Sequence, residues 1–222
     1  IFLRTLDVDL MNDKFALFVY QPKEGNKYVT FTLPGMNWCV TGFSESFVIG
    51  EVFNDYCKIS DNKYGSPFYF NFKDLLLNSQ TISEIKNNIN KNNWHDSIDI
   101  SIKFIKNNDL LMIEKRGNQT EIYNEDNFDN YLTKYSNVSK NNGKFAFYYN
   151  LNLIYNLINQ YNKLTVLDIY NSIIVGLETG SNHSIIIDFN KKMLYVSNAN
   201  SKLNGYQRPL VELELNKLLS IY

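Results

Sequence analysis

The sequence has little of the chemistry that builds metal centres and disulfide frameworks. Its 222 residues include two cysteines, Cys39 and Cys57, and two histidines. The cysteines lack the paired spacing of zinc and iron–sulfur ligands, so we expect no metal and no cofactor, and two buried free thiols. His95 and His183 lie in loop and strand contexts without the partners of a catalytic triad, so each is expected to have a structural or surface role.

An excess of charge of either sign is also absent. The chain has 22 basic and 23 acidic residues, a formal net charge of −1 and a pI near 6.2. Binding to nucleic acid or to an anionic membrane surface depends on basic patches, so we expect neither partner. Apolar runs stay well below the roughly 20 residues that a helix needs to cross a bilayer, so we expect no membrane span.

Apolar and aromatic residues, in contrast, are plentiful. Hydrophobic residues make up 44% of the chain and aromatic residues 15%. A chain of this length and composition can bury one sizeable core. Because no linker, internal repeat or low-complexity tail interrupts it, we expect a single domain over residues 1–222.

Strand signals dominate the first third of the chain, where β-branched and aromatic runs are separated by Gly, Pro, Asn and Ser. The predicted antiparallel meander consists of KFALFVYQP, NKYVTFTLPG, NWCVTGFSES and SFVIGEVFND, and QPKEGNK is its first hairpin connection. A second block of strands is predicted in IDISIKFIKNN, DLLMIEKRGNQ and TEIYNED. The last strands are predicted in HSIIIDFN, KMLYVSNAN and PLVELELNKLL.

Helical periodicity appears in two clusters. In FKDLLLNSQTISEIKNNINKN, Thr81 is a predicted N-cap with Glu84 three residues later, the pattern of a capping box. A second pair of helices is predicted in KFAFYYNLNLIYNLINQYNK and LTVLDIYNSIIVGLE. Helix clusters between blocks of antiparallel strands predict an α+β fold with two stacked sheets, each covered by a layer of helices.

The charged residues of the first strand raise the question of function. The chain begins IFLRTLDVDL, in which Arg4 and Asp7 interrupt an apolar run. Side chains alternate along a strand, so Arg4 shares a face with Phe2, and Asp7 falls on the other face unless the strand ends or bulges between them. The pair can be an exposed salt bridge of little energetic value. It can also mark a polar site at a sheet edge.

The R-T-L-D element after an apolar strand resembles the R-N-x-D element of N-terminal-nucleophile cysteine hydrolases, the superfamily of choloylglycine hydrolase, acid ceramidase and penicillin acyltransferase-like proteins. Further segments are similar to elements of that superfamily in the same order along the chain. These are LPGMNWCVTGFSESFVIGEVFND, FKDLLLNSQTISEIKNNI, YLTKYSNVS and HSIIIDFNKKMLYVS. The resemblance implies an αββα four-layer sandwich of two antiparallel sheets flanked by helices.

The resemblance also implies roles for individual residues. Asp7 would hold the α-amine of the nucleophile, and Arg4 would lower the pKa of its thiol and help to orient the substrate. Asn137 would donate a hydrogen bond to the oxyanion that forms in the transition state. Asn54 matches a second polar position, which lines the pocket in the bile-salt branch. In a chain rich in asparagine, Asn54 and Asn137 can also be turn residues.

An arginine often follows the functional asparagine of that superfamily. The corresponding stretch here is SKNNGKFAFYYN, whose cations are Lys140 and Lys144. Lysine lacks the bidentate fork of arginine, so recognition of a carboxylate at this position would be weaker. Lys144 and Arg208, in GYQRPL near the C-terminus, are the cationic residues that we expect to bind substrate.

The nucleophile that the resemblance implies is a cysteine exposed as the first residue by autoproteolysis. Its thiolate attacks an amide carbonyl and its own α-amine handles the proton, so no histidine base is required. This cysteine would lie about one hairpin arm upstream of the R-x-x-D aspartate, before Ile1. Neither Cys39 nor Cys57 can replace it, because neither can have a free α-amine. Either the cysteine precedes Ile1, which the abrupt strand-like start without a methionine favours, or the protein has lost the chemistry.

Two functions follow from these alternatives. The first is hydrolysis of a linear amide C–N bond in an acylated amine, a bile-salt-like conjugate or a peptide-like substrate, with a cleaved N-terminal propeptide as a partner chain. The aromatic-rich strands would then supply an apolar acyl pocket. The second is a catalytically inactive homologue that binds a small amphiphile or a protein partner.

Overall fold

The structure of the protein, a computed structural model, describes most of the chain. The described residues are 1–6, 15–37, 39–52, 64–95, 97–107, 109–116, 118–124, 126–127, 138–141, 144–147, 164–200 and 202–220. The chain divides into two compact units. The first unit consists of Ile1–Lys14 and Asp126–Leu213, and the second of Phe15–Glu125 and Glu214–Tyr222. The single domain expected over residues 1–222 stays a prediction.

The strands, in chain order, are β1 Phe2–Leu6, β2 Ala16–Tyr20, β3 Tyr28–Thr32, β4 Thr41–Ser44, β5 Phe47–Val52, β6 Ile98–Phe104, β7 Leu110–Arg116, β8 Gln119–Tyr123, β9 Val138–Asn141, β10 Lys144–Phe147, β11 His183–Asp188, β12 Met193–Asn198 and β13 Val211–Glu214. The helices are α1 Phe68–Asn78, α2 Ile82–Lys91, α3 Val166–Asp168, which continues as a π-helix over Ile169–Val175, a 3₁₀ turn Gly205–Gln207, and α4 Leu215–Ser220.

The second unit is built on an antiparallel meander of seven strands, in which each strand from β2 to β8 pairs with the next one in sequence. The hairpin predicted over QPKEGNK is confirmed, because Tyr20 and Tyr28 face each other across the β2–β3 pair. In a meander, each strand pairs with the next one through a short connection. The Gly, Pro, Asn and Ser residues between the apolar runs are therefore enough to predict the pairing order. The strands predicted in the first and second blocks are confirmed.

Helices α1 and α2 cover one face of this sheet. The core between them includes Leu75 and Leu76 of α1, Ile85 of α2, and Ile49 and Ile100 of the strands. Alternation places every second strand residue in this core, as the period of two requires. Burying each of these aliphatic side chains contributes about 1.5–3 kcal/mol, so this face contributes substantially to the stability of the second unit.

The start of α2 is fixed by its own first turn. The backbone N–H of Glu84 donates to Oγ1 of Thr81 at 3.3 Å, and Oε2 of Glu84 accepts the backbone N–H of Thr81 at 3.0 Å and that of Gln80 at 2.7 Å. The donors from Gln80 and Thr81 lower the pKa of the Glu84 carboxyl. The capping box predicted from the sequence is confirmed.

The first unit contains a four-stranded sheet in the order β1-β11-β12-β13 and the separate hairpin β9–β10. Strand β1 is antiparallel to β11, with Arg4 opposite Ile185 and Leu6 opposite His183. The tight turn after β11 is closed by Oδ1 of Asp188, which accepts the backbone N–H groups of Asn190 and Lys191, both at 3.1 Å.

One face of the four-stranded sheet packs on the π-helix. Ile169, Ile173 and Ile174 form a cluster with Ile186 and Tyr195, and Leu3 of β1 packs against it. Because alternate residues point to opposite faces, Phe2 and Arg4 lie on the face away from the π-helix. The alternation predicted for the first strand is confirmed.

Two predicted elements are wrong in part. The first four residues of the helix predicted over KFAFYYNLNLIYNLINQYNK form instead the strand Lys144–Phe147, which pairs with Val138–Asn141, and the rest of that prediction lies outside the described residues. The strand predicted over PLVELELNKLL covers Val211–Glu214 only, and the chain then turns into α4. In both cases the segment contains two different hydrophobic patterns, and the prediction assigned a single element to the whole segment.

Candidate functional site

Arg4 holds a positive charge inside the first unit. It lies in the middle of β1, on the face that it shares with Ile185 of the neighbouring strand. Its residue as a whole is half-buried, and its Nε and Nη2 atoms are buried. A charge shielded from water acts on nearby groups more strongly than an exposed one. Arg4 is therefore a half-buried cation on β1, and its role in a catalytic site stays a prediction.

The end of β1 is fixed by a contact with a distant part of the chain. Oγ1 of Thr5 and Oγ1 of Thr179 are hydrogen-bonded at 2.9 Å across a separation of 174 residues. Thr179 is followed by Gly180, whose φ of +84° favours glycine, and a Cβ there would lie 2.0 Å from Oγ of Ser184. No local pattern in the sequence singles out Thr179, so sequence reasoning missed this contact.

A buried histidine lies beside this strand end. His183 is fully buried, with both ring nitrogens out of contact with solvent. It is opposite Leu6 on one side and Asn198 on the other, and by alternation it shares the face of Arg4. Burial within a strand agrees with the structural role expected for it.

Arg208 is anchored two strands away from Arg4. Its Nη1 donates to the backbone carbonyl of Asn198 at 2.6 Å, and the Tyr170 hydroxyl donates to the carbonyl of Arg208 at 2.9 Å. Strand β11 lies between β1 and β12, which puts the anchor about 10 Å from β1. These contacts hold the turn Gly205–Gln207 against β12. Binding of substrate by Arg208 stays a prediction.

Of the other four predicted site residues, Lys144 alone lies within the described residues. Asp7, Asn54 and Asn137 lie outside the described residues. Lys144 is the first residue of β10, opposite Asn141. In the sequence, Asp7 directly follows β1 and is two residues from Thr5, which forms the contact with Thr179.

A separate polar network crosses β6, β7 and β8 in the second unit. Nη2 of Arg116 contacts Oδ1 of Asp99 at 2.5 Å and Oε1 of Glu114 at 3.2 Å. The Tyr123 hydroxyl hydrogen-bonds to Oε2 of Glu114 at 3.4 Å and to Oε2 of Glu121. Burial, with these carboxylates beside it, raises the pKa of Tyr123. Arg116 pairs with the two buried carboxylates of this network, Asp99 and Glu114, as buried ionic groups require, which indicates a structural role.

Cys39 is unsuited to nucleophilic chemistry. It is a fully buried free thiol that lies before β4, not within a strand as its sequence context suggested. Cys39 packs closely against Gly42, since a Cβ atom added to Gly42 would lie only 2.9 Å from Sγ of Cys39. Leu76 of α1 packs against the same glycine. Burial raises the pKa of the Cys39 thiol far above its usual range, so the reactive thiolate is not formed at neutral pH. Its expected state, a buried free thiol, is confirmed, and Cys57 lies outside the described residues.

No group of three or more His, Cys, Asp or Glu residues that could hold a metal ion occurs among the described residues. None of the helices in the described ranges is long and apolar enough to cross a membrane.

Two solved structures are similar to this chain. A mutant conjugated bile acid hydrolase from Clostridium perfringens has a TM-score of 0.54 and 10% sequence identity, covering 86% of this chain and 78% of that one. A Caenorhabditis elegans ortholog of N-acylethanolamine-hydrolyzing acid amidase has a TM-score of 0.58 and 15% identity, covering 95% of this chain and 93% of that one. The sequence matches no protein-family model and no curated protein.

By name, the first is a hydrolase of conjugated bile acid and the second an acid amidase that hydrolyses N-acylethanolamines. At such low identity the likeness establishes the fold alone. The chain has the Ntn-hydrolase-like α+β sandwich fold, and the fold class predicted from the sequence is confirmed.

The state of Cys39 gives a testable prediction. In the native protein at neutral pH, Cys39 should remain unlabelled by iodoacetamide, because its thiol is buried and protonated. In denaturant it should be labelled fully. Peptide mapping by mass spectrometry after each treatment measures both extents, separately from Cys57. A Cys39→Ser variant provides the blank, and rapid native labelling of Cys39 would contradict its placement.

Proposed function

We propose that the protein hydrolyses linear amide C–N bonds, using an N-terminal cysteine located upstream of Ile1. The observation that carries the proposal is the placement of Arg4, a half-buried cation on the first strand of a chain with the Ntn-hydrolase-like fold. The names of both similar structures support the reaction class, since one is a hydrolase of conjugated bile acid and the other an amidase of N-acylethanolamines.

Arg4 suits the activation of a thiol. A guanidinium stays charged throughout the physiological pH range, and a cation beside a cysteine lowers the pKa of its thiol. Arg4 stabilises a thiolate only if the two groups are close, so the cysteine must reach the Arg4 face of β1. The Thr5–Thr179 hydrogen bond supports this requirement, because it fixes the residue next to Arg4.

The proposed reaction has two steps. The thiolate attacks the amide carbonyl and forms a C–S bond, the C–N bond breaks, and the α-amine of the cysteine delivers a proton to the leaving amine. Water then attacks the thioester, which releases the acid and restores the thiol. His183 is not needed as a base, and Cys39 takes no part.

Asp7 and Asn137 complete the proposed catalytic site. Asp7 holds the α-amine of the cysteine, and the amide group of Asn137 donates a hydrogen bond to the oxyanion. Asn54, Lys144 and Arg208 are proposed to bind substrate, an acylated amine or a peptide-like molecule. A cleaved N-terminal propeptide is the partner chain that autoproteolysis would leave.

Variants at Arg4 and Asp7 test the catalytic assignment. In a protein expressed with its upstream residues, Arg4→Ala and Asp7→Asn should each lower kcat/KM by at least about a hundredfold, because both act on the nucleophile. Turnover of a panel of fluorogenic N-acyl amides of different chain length measures this. Arg4→Lys, which keeps the charge without the fork, should retain more activity than Arg4→Ala.

The control is Lys202→Ala, which removes an exposed cation elsewhere in the first unit and should leave turnover unchanged. Full activity of both Arg4→Ala and Asp7→Asn would refute the catalytic assignment. Binding of the acyl amides by the wild type without any turnover would favour the inactive homologue.

Asn137→Ala separates support of the oxyanion from a turn role. Loss of an oxyanion donor should lower kcat by roughly two to three orders of magnitude and change KM little. Asn141→Ala is the matched control, since Asn141 lies in β9 and has no proposed catalytic role. Steady-state kinetics and the melting temperature are measured on the same preparations. A lowered melting temperature with unchanged kcat would remove Asn137 from the site.

A further inference from the structure

A cavity of about 370 Å³ lies in the second unit, between α1 and the C-terminal end of α2. The backbone N–H of Ser66 donates to the carbonyl of Asn93 at 2.8 Å, and that of His95 donates to the carbonyl of Ser66 at 3.0 Å. These bonds tie the segment before α1 to the segment after α2 and form the cavity wall. The volume is that of a site for a small ligand. The lining residues are Ser66, Phe70, Asn71, Asp74, Asn92 and Asn93.

Asp74 is the one ionisable residue of this lining. Its Oδ1 accepts the side-chain amide of Asn78 at 2.7 Å, and its Oδ2 accepts that of Asn92 at 3.1 Å. Among the described residues, no cationic side chain forms an ion pair with it. Two neutral amides therefore orient the carboxylate without balancing its charge, and each oxygen retains a free acceptor position.

Asn71 adds a second fixed acceptor. It is buried to 4% exposure, and its Nδ2 donates to the carbonyl of Ser66 at 3.0 Å. This bond sets the orientation of the amide group, so its Oδ1 is a carbonyl acceptor in the cavity lining. The C-terminal end of α2 at Lys91 lies next to Asn92 in the chain, and the partial negative charge of a helix end favours a cation there.

Phe70 supplies an apolar surface beside these acceptors. Its side chain is 43% exposed although it is large and aromatic. The face of an aromatic ring attracts a cation, and alkyl groups of a ligand can cover the same surface. The lining thus combines an unbalanced carboxylate, a fixed carbonyl acceptor and an open aromatic ring.

We propose that this cavity binds a small organic ammonium ion. The N–H groups of the ammonium donate to Asp74 and Asn71, and its alkyl substituent packs on Phe70. An anion is disfavoured by the carboxylate, and a neutral polyol gains no charge-assisted hydrogen bond. The site lies within the second unit and is independent of the proposed amide hydrolysis.

The test is a titration of the full chain, labelled with ¹⁵N, with ethylammonium chloride, using sodium chloride at equal ionic strength as the blank. Saturable shifts are expected for the backbone amides of residues 66, 68–74 and 92–93. Asp74→Asn should weaken binding at least about tenfold, because it removes the charge and keeps the shape. Glu24→Gln is the matched control, since it removes an exposed negative charge from the β2–β3 turn of the same unit and should leave binding unchanged.

Phe70→Ala provides a second variant whose exposed position spares the fold, and it should weaken ethylammonium binding several-fold, because the ethyl group loses its aromatic surface. Equal affinity of wild type and Asp74→Asn would overturn the proposal. So would saturable binding of methyl glucoside in place of the ammonium ion, or the absence of any saturable shift. If Asp74→Asn does not fold, an unchanged affinity of Phe70→Ala for ethylammonium overturns the proposal by itself.

Discussion

The antiparallel pairing of β1 with β11 is the constraint on which the first unit depends. It joins residues 2–6 to residues 183–187 by backbone hydrogen bonds and puts Leu3 against the π-helix. Closing so long a loop costs conformational entropy, which the apolar contacts of Leu3 and the Thr5–Thr179 bond help to offset. Alternation then fixes Arg4 on the opposite face. Every role proposed for Arg4 follows from this register, because a slip of one residue would exchange the faces of Leu3 and Arg4.

The surroundings of the Cys39 thiol and of the Arg4 guanidinium limit which groups can take part in amide hydrolysis. Cys39 lies in the apolar core under α1, where the thiolate is strongly disfavoured. Arg4 holds a half-buried cation on β1, whose Nε and Nη2 atoms are shielded from solvent. Arg4 and Cys39 are in different units of the chain. Cys39 is therefore unsuited to act as the nucleophile of a hydrolase of this fold.

Local patterns were enough to predict the meander, the capping box at Thr81 and the faces of β1. Each depends on residues close in sequence, where hydrophobic periodicity and turn-forming residues are directly visible. The hairpin β9–β10 was missed although Asn142-Gly143, the strongest short signal for a hairpin turn, stands between its strands. The contacts of Thr5 with Thr179, of Arg208 with Asn198 and of Leu6 with His183 could not be predicted, because tertiary pairing brings together residues that no local pattern links.

The proposed function depends most directly on the identity of the mature N-terminus. Protein expressed from the complete reading frame should be examined by intact mass measurement and N-terminal sequencing, before and after treatment with a thiol-reactive acyl probe. The proposal predicts a mature chain that begins with a cysteine upstream of Ile1 and one covalent adduct on that cysteine. A mature chain that begins with methionine directly before Ile1, or an upstream segment without cysteine, would contradict it.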